Sequence, residues 1–161
     1  MEKIQYPYLP LGREILYVPL SNKYMFNARS WAKQHSDNKK MPTGAVIAKG
    51  TTIIGMGTNS SSWEENHSCK EEGRSNPEKD YELCGGCHPR GHSELSAINE
   101  ALRNKYSTLG ADLYLWGHWW CCRSCWDVMN AANIRRVFLL EGSHILFNKS
   151  HPDNCIGRQF I

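Results

Sequence analysis

The chain has 161 residues, which is enough for one domain with a substantial hydrophobic core. Its formal net charge of +3 is too small to imply nucleic-acid binding by itself, and no stretch is long and apolar enough for a transmembrane helix. Pro7, Pro10 and Pro19 interrupt the region where a secretory signal would need an apolar run. We therefore expect a single domain over residues 1–161 in the cytoplasm, without membrane contact.

The cysteines point to metal rather than disulfides. There are seven of them, an odd number, and four stand in two C-x-x-C pairs. Such pairs in a chain with no secretory leader favour metal ligation in a reducing compartment.

The first part of the chain predicts an arm and a helix. Residues 1–20 have little periodicity and are interrupted by proline, so we expect an extended N-terminal arm over the domain or a neighbouring subunit. Ser21 is a plausible N-cap of a helix that ends near Gln34. Its apolar positions recur at helical spacing: Met25, Ala28, Trp31 and Ala32.

A hairpin and a long irregular segment follow. The runs Ala45 to Ala48 and Thr52 to Gly57 are apolar or β-branched, and Lys49-Gly50 between them predicts a tight turn. Residues 60–91 show almost no periodicity and contain cysteines. Packing alone rarely orders so long a segment, so we predict an insertion held by metal.

The second half of the chain alternates helices with strands. We predict helices from Ser93 to about Asn104 and over Cys122 to Ala132, with strands over Asp112 to Trp116 and Arg136 to Leu140. Strands joined through helices are parallel, so the chain is predicted to be a layered α/β fold with an antiparallel hairpin and later parallel strands.

One constellation carries chemistry. His92 and Glu94 stand at the start of one predicted helix, and Cys122 and Cys125 at the start of another. Each alone is ordinary: a helix-end histidine, a first-turn carboxylate, a structural half-site or redox pair. Together they offer one imidazole and two thiolates, and three protein ligands are typical of catalytic zinc. A carboxylate that need not bind the metal indicates an enzyme.

At this point the chain resembles the zinc-dependent cytidine and deoxycytidylate deaminases, whose signature is H-x-E followed by P-C-x-x-C. The resemblance spans about residues 40–140. It implies a three-layer helix/sheet/helix fold, zinc held by His92, Cys122 and Cys125, and Glu94 as the catalytic acid and base. That carboxyl would protonate the ring nitrogen and later the departing ammonia.

Within the superfamily the deoxycytidylate (dCMP) deaminases resemble the chain most. The hairpin ends in Gly55-Met56-Gly57-Thr58-Asn59, and a cysteine-bearing insertion precedes the H-x-E. The resemblance implies that Asn59 hydrogen-bonds the sugar or base and that Trp119 packs against the pyrimidine. A turn residue and a core aromatic are the alternatives. The expected reaction is hydrolysis of a cytosine nucleotide, foremost dCMP, to the uracil nucleotide and ammonia.

The chain also departs from the family pattern. Cys121 stands where proline is usual and could compete as a ligand, although adjacent side chains cannot easily reach one ion. The insertion adds a candidate set for a second, structural zinc, with inert reduced cysteines as the alternative. That set is Cys69, Cys84 and Cys87, with His67 or His88 as the fourth ligand.

Two other functions stay open at this stage. The same chemistry on a base in DNA or RNA would call for a basic groove, and the net charge gives this little support. A non-catalytic, zinc-stabilised interaction module would need no carboxylate beside its histidine. We therefore expect a small nucleotide as substrate, and by family resemblance a homo-oligomer.

Overall fold

A five-stranded mixed sheet forms the centre of the molecule, seen in a computed structural model that describes residues 7–60 and 91–161. The strands lie in the order β1-β5-β4-β2-β3. They are β1 Ile15–Val18, β2 Gly44–Lys49, β3 Thr52–Thr58, β4 Asp112–Trp116 and β5 Arg136–Leu140.

Four helices belong to the described part of the chain: α1 Lys23–His35, α2 Ser93–Arg103, α3 Arg123–Ala131 and the short α4 Ser143–Leu146. In this part of the chain, no helix combines the length and the apolar character needed to cross a membrane. The N-cap of α1 differs from the prediction. It is Asn22 rather than Ser21, because the Asn22 carboxamide oxygen accepts the backbone N–H groups of Tyr24 and Met25 at 3.0 and 3.1 Å.

The topology confirms the predicted α/β fold. β2 and β3 form the predicted antiparallel hairpin, and Gly50 takes the positive φ of 63° that its turn requires. β2 also pairs antiparallel with β4, whereas β4 and β5 are parallel. The connection between β4 and β5 runs through α3, as expected for parallel neighbours.

The two faces of the sheet carry two separate cores, and this gives the three layers. In β2, Ala45 and Ile47 face the core beneath α2 and α3, while Val46 and Ala48 face the core beneath α1. This alternation has the period of two that a strand imposes. The sheet is therefore covered on both sides, and both helices that carry the predicted metal ligands lie on the same side.

Residues 15–18, part of the predicted arm, form β1 at the edge of the sheet. Ile15 pairs with Val137 and Val18 with Leu140, in parallel register with β5. Four residues between prolines give little local periodicity. The partner strand lies more than a hundred residues away, so local patterning could not reveal this pairing.

Close approach of backbones fixes α2 on the hairpin. A Cβ at Gly57 would collide with the backbone of α2 at Ala97 and Ser93, and one at Gly55 would collide with the Ala97 carbonyl. Glycine is required at these positions for lack of space, not for a special φ. The hairpin thus sets the position of the first turn of α2, which carries Glu94.

The ion pairs that Asp112 forms with Arg135 and Arg136 predict how the stability of the fold depends on pH. Burial raises the pKa of Asp112, but hydrogen bonds from Arg136 and Arg135 outweigh this effect and lower it overall. A lowered folded pKa stabilises the fold above the unfolded value of about 3.9, and the contribution is lost as pH falls below it. We expect Asp112→Asn to cost about 1 kcal/mol at neutral pH, since both arginines are exposed.

Urea unfolding of both proteins at pH 7 and pH 3, in one zinc-free buffer, measures this cost. The difference in the free energy of unfolding should shrink towards zero at pH 3. A difference of the same size at both pH values would show that the Asp112 carboxylate is not responsible.

Candidate active site

Three side chains with metal-binding atoms meet where α2 and α3 begin. His92 is the N-cap of α2, Cys122 is the N-cap of α3, and Cys125 lies in the first turn of α3. Both helices pack on the same face of the sheet, so their N-terminal ends converge. The positive end of each helix dipole favours thiolate over thiol at these positions.

The distances among these atoms fit a single zinc ion. His92 Nδ1 lies 3.2 Å from Cys125 Sγ and 3.5 Å from Cys122 Sγ, and all three atoms are within 4.8 Å of one another. Tetrahedral zinc with ordinary Zn–N and Zn–S bonds separates nitrogen from sulfur by about 3.6 Å. The three side chains therefore need little movement to hold the ion.

Among the described residues, the number of metal-binding side chains at this site is typical of catalytic zinc. Over residues 7–60 and 91–161, the cluster of metal-binding side chains consists of His92, Cys122 and Cys125, without a fourth. Three protein ligands leave the last tetrahedral position to water or substrate, whereas structural zinc sites are closed by four.

The surroundings of Cys122 favour its thiolate form, which is the form that binds a metal cation. A hydrogen bond from Cys125 and the nearby His92 lower the pKa of Cys122 to about 5, against the opposing effect of burial. The Cys125 backbone N–H also points at Cys122 Sγ, 3.4 Å away. The same shared proton raises the pKa of Cys125. Cys122 is therefore the thiol of the pair that loses its proton more readily.

Glu94 lies beside this cluster but is not part of it. The residue is 5% exposed, and burial raises the pKa of its carboxyl more than the nearby His92 lowers it. Ser93 Oγ lies 3.4 Å from Glu94 Oε2 and itself accepts a hydrogen bond from Thr43 at 3.0 Å. Burial favours the protonated form of this carboxyl, which suits a group that passes protons to a substrate.

Glu94 and two of the metal-binding residues, His92 and Cys122, line one cavity of about 140 Å³. Its other walls come from the loop before β2, the end of β3, the end of β4 and the loop before α3. The lining residues are Asn38, Met41, Thr43, Asn59, Gly91, His92, Glu94, Leu115, His118, Trp120 and Cys122. The cavity therefore joins a metal site, a proton carrier and a mixed polar and apolar wall.

Comparison with known proteins identifies the family. A family model described as the cytidine and deoxycytidylate deaminase zinc-binding region matches residues 20–141. The chain belongs to this family. It is a zinc-dependent hydrolase of the deaminase type. The alternative of a non-catalytic zinc module is therefore excluded. No curated protein sequence matches the chain.

Solved structures with a similar fold include several deaminases. The dCMP deaminase from the cyanophage S-TIM5 in apo form is 17% identical, with a TM-score of 0.47, over 78% of this chain and 87% of that one. The Thermotoga maritima diaminohydroxyphosphoribosylaminopyrimidine deaminase/reductase is 20% identical, with a TM-score of 0.46, over 72% and 28%. Guanine deaminase from Bacillus subtilis is 21% identical, with a TM-score of 0.44, over 72% and 60%.

Asn59 of the deaminase lines the cavity, and most of its hydrogen bonds go to the loop before β2. Its Oδ1 accepts hydrogen bonds from the Thr43 backbone at 2.8 Å and from Ser36 Oγ at 2.6 Å. Its Nδ2 donates to the Met41 carbonyl at 2.8 Å. An amide has two N–H groups, and the described residues accept one of them. The residue therefore organises the 36–43 loop of the cavity wall as well as facing the cavity.

Trp119 and Trp120 face different sides of the sheet, and the contact of Trp119 with the pyrimidine stays a prediction. Trp119 packs against the core beneath α1, and the cavity lining does not include it. Trp120 lines the cavity and packs against the core beneath α2 and α3. Neighbouring residues of an extended segment point to opposite sides, and the sequence pattern did not tell which of the two faces inward.

Cys121 does not join the metal-binding cluster. Its side chain is buried, and burial is the main cause of the raised pKa of its thiol, with the charge of the nearby Glu94 carboxylate as the next cause. The thiol that replaces the usual proline therefore lies near Glu94 and outside the metal-binding cluster. Cys155 is half-buried beside the core under α1.

The second zinc set lies outside the described residues. It comprises Cys69, Cys84, Cys87, His67 and His88. The second zinc stays a prediction, and so do the homo-oligomer and the cytoplasmic location.

Proposed function

We propose that this deaminase hydrolyses a cytosine nucleotide, foremost dCMP, to the uracil nucleotide and ammonia. The observation that carries the proposal is the meeting of a three-ligand zinc site and a buried glutamate in one cavity. Hydrolytic deamination needs an activated water and a group that moves protons to ring and leaving group.

Each residue has a distinct part in this proposal. His92, Cys122 and Cys125 hold the zinc ion. When bound, zinc acts as a Lewis acid that makes water a nucleophile near neutral pH. Glu94, which has no place in the ligand set, gives a proton to the ring nitrogen beside the reacting carbon. That proton comes from the attacking water. Glu94 then takes the second proton from the resulting hydroxyl group and passes it to the amino group, which leaves as ammonia, so that the carboxyl returns to its starting state.

The apolar part of the cavity wall suits a planar ring. Met41, Leu115 and Trp120 give the ring apolar contacts. The second amide N–H of Asn59 hydrogen-bonds the sugar or base.

Preference for dCMP rests on the resemblance of residues 55–59 and of the cysteine-bearing insertion to dCMP deaminases. In the structure, Gly55 and Gly57 of that segment set the distance between the hairpin and the helix that carries Glu94. A base within DNA or RNA remains the alternative substrate.

A substrate panel tests the proposal. Ammonia release is measured on cytosine, cytidine, deoxycytidine, CMP, dCMP, dCTP, adenosine and a cytosine-containing single-stranded oligonucleotide. We expect the highest kcat/KM with dCMP and none with adenosine. Activity confined to the oligonucleotide, with binding that weakens steeply as salt rises, would establish the nucleic-acid alternative instead.

A further inference from the structure

The imidazole of His118 lines the cavity, and neither zinc binding nor the proton transfer assigned to Glu94 involves it. It lines the same cavity as Glu94 and His92, and it lies outside the cluster of metal-binding side chains. Its position in the loop between β4 and α3 places it beside Trp120, with ring centroids 4.7 Å apart in an edge-to-face arrangement. That contact fixes the plane of the imidazole.

Hydrogen bonds within the loop determine which ring nitrogen carries the proton. His118 Nδ1 accepts from the backbone N–H groups of Trp119 and Trp120 at 3.0 and 3.2 Å. A nitrogen that accepts two N–H groups must present its lone pair, so in the neutral ring the proton sits on Nε2. The ring therefore offers one N–H donor at its distal end.

The ring is also held neutral. Burial, together with the nearby His92 and Lys149, lowers the pKa of His118 to about 4. A neutral imidazole with Nδ1 engaged acts as a fixed single donor, and it does not attract a phosphate by charge.

We propose that His118 determines substrate specificity by donating its Nε2–H to the carbonyl oxygen of the pyrimidine ring. The proposal rests on the cytosine deaminase function above. Cytosine carries this carbonyl next to the ring nitrogen that receives the proton from Glu94. Adenine has a C–H group beside its corresponding nitrogen, which would leave the N–H donor of His118 unpaired in the cavity. The residue thus selects the 2-oxopyrimidine.

Two substitutions separate recognition from support of the loop. Asn at position 118 retains an acceptor near Nδ1, able to cap the same two backbone N–H groups, and lacks the distal donor. Gln carries its amide about where Nε2 lies and loses the proximal acceptor. His118→Asn and His118→Gln are therefore compared in the zinc-loaded enzyme, with zinc content and circular dichroism as checks on folding.

The readouts are the Kd of dUMP, followed by tryptophan fluorescence, and kcat and KM for dCMP. We expect His118→Asn to raise the Kd and KM about 10- to 100-fold, with kcat changed much less, because the lost bond exists in substrate and product alike. His118→Gln should recover at least part of the affinity. The opposite order, with Asn close to wild type and Gln impaired, would overturn the proposal and assign His118 to loop support.

These outcomes stand apart from a failure of the proposed function. If wild-type enzyme releases no ammonia from any cytosine compound, the proposed function fails whatever the variants do. If it deaminates dCMP and His118→Asn binds dUMP as tightly as wild type, only the role of His118 fails.

Discussion

Glu94→Gln is expected to keep its zinc and to lower kcat for ammonia release at least about 100-fold, the usual range for removing a general acid and base. Gln has the size of Glu but no titratable proton, so it neither protonates the ring nitrogen nor carries a proton to the departing amine. Because Glu94 lies outside the metal-binding cluster, zinc content should stay at the wild-type value.

The measurement pairs steady-state ammonia release from dCMP with elemental analysis of the same preparations. Glu141→Gln is the matched control, since Glu141 is an exposed carboxylate at the end of β5. It should behave as wild type in both assays. Glu94→Gln that still turns over at a near-normal rate would remove the glutamate from the mechanism.

Alanine at any one of His92, Cys122 and Cys125 is expected to remove one equivalent of zinc per chain and to reduce ammonia release to the background rate. The reason is geometric: a catalytic site with three protein ligands has no spare one. All three atoms lie within 4.8 Å of one another, so each loss should have the same consequence.

Zinc is counted by elemental analysis after dialysis, relative to wild type, so that zinc held elsewhere in the chain cancels. Cys155→Ala is the control because Cys155 is half-buried beside the core under α1 rather than at this site. It should keep both zinc and activity. Full zinc content in the His92→Ala protein would show that the ion is bound by other residues.

The sequence was sufficient for those parts of the fold that depend on local patterning. Strands β4 and β5 begin and end at the predicted residues, and α2 begins at Ser93. Their buried apolar residues follow the period of their own element. The sequence did not predict β1, because its pairing with β5 is non-local. It did not predict α4 either, because four residues are too few to show a helical period.

The candidate site also has a part that the sequence predicted and a part that it did not. The H-x-E and C-x-x-C spacings indicated the metal cluster, because each pair opens a helix and both helices pack on one face. Side-chain direction in irregular segments was beyond the sequence. Trp119 and Trp120 are equivalent by composition, and only the course of the loop shows that Trp120 and His118 face the cavity.

The most direct test of the central claim is ammonia release from dCMP by one preparation in three states: as purified, after zinc removal with a chelator, and after zinc is restored. The account predicts activity in the first state, its loss in the second and its recovery in the third, with Glu94→Gln at least about 100-fold slower in the first and third. Ammonia release that persists at the same rate in chelated, zinc-free enzyme would contradict it.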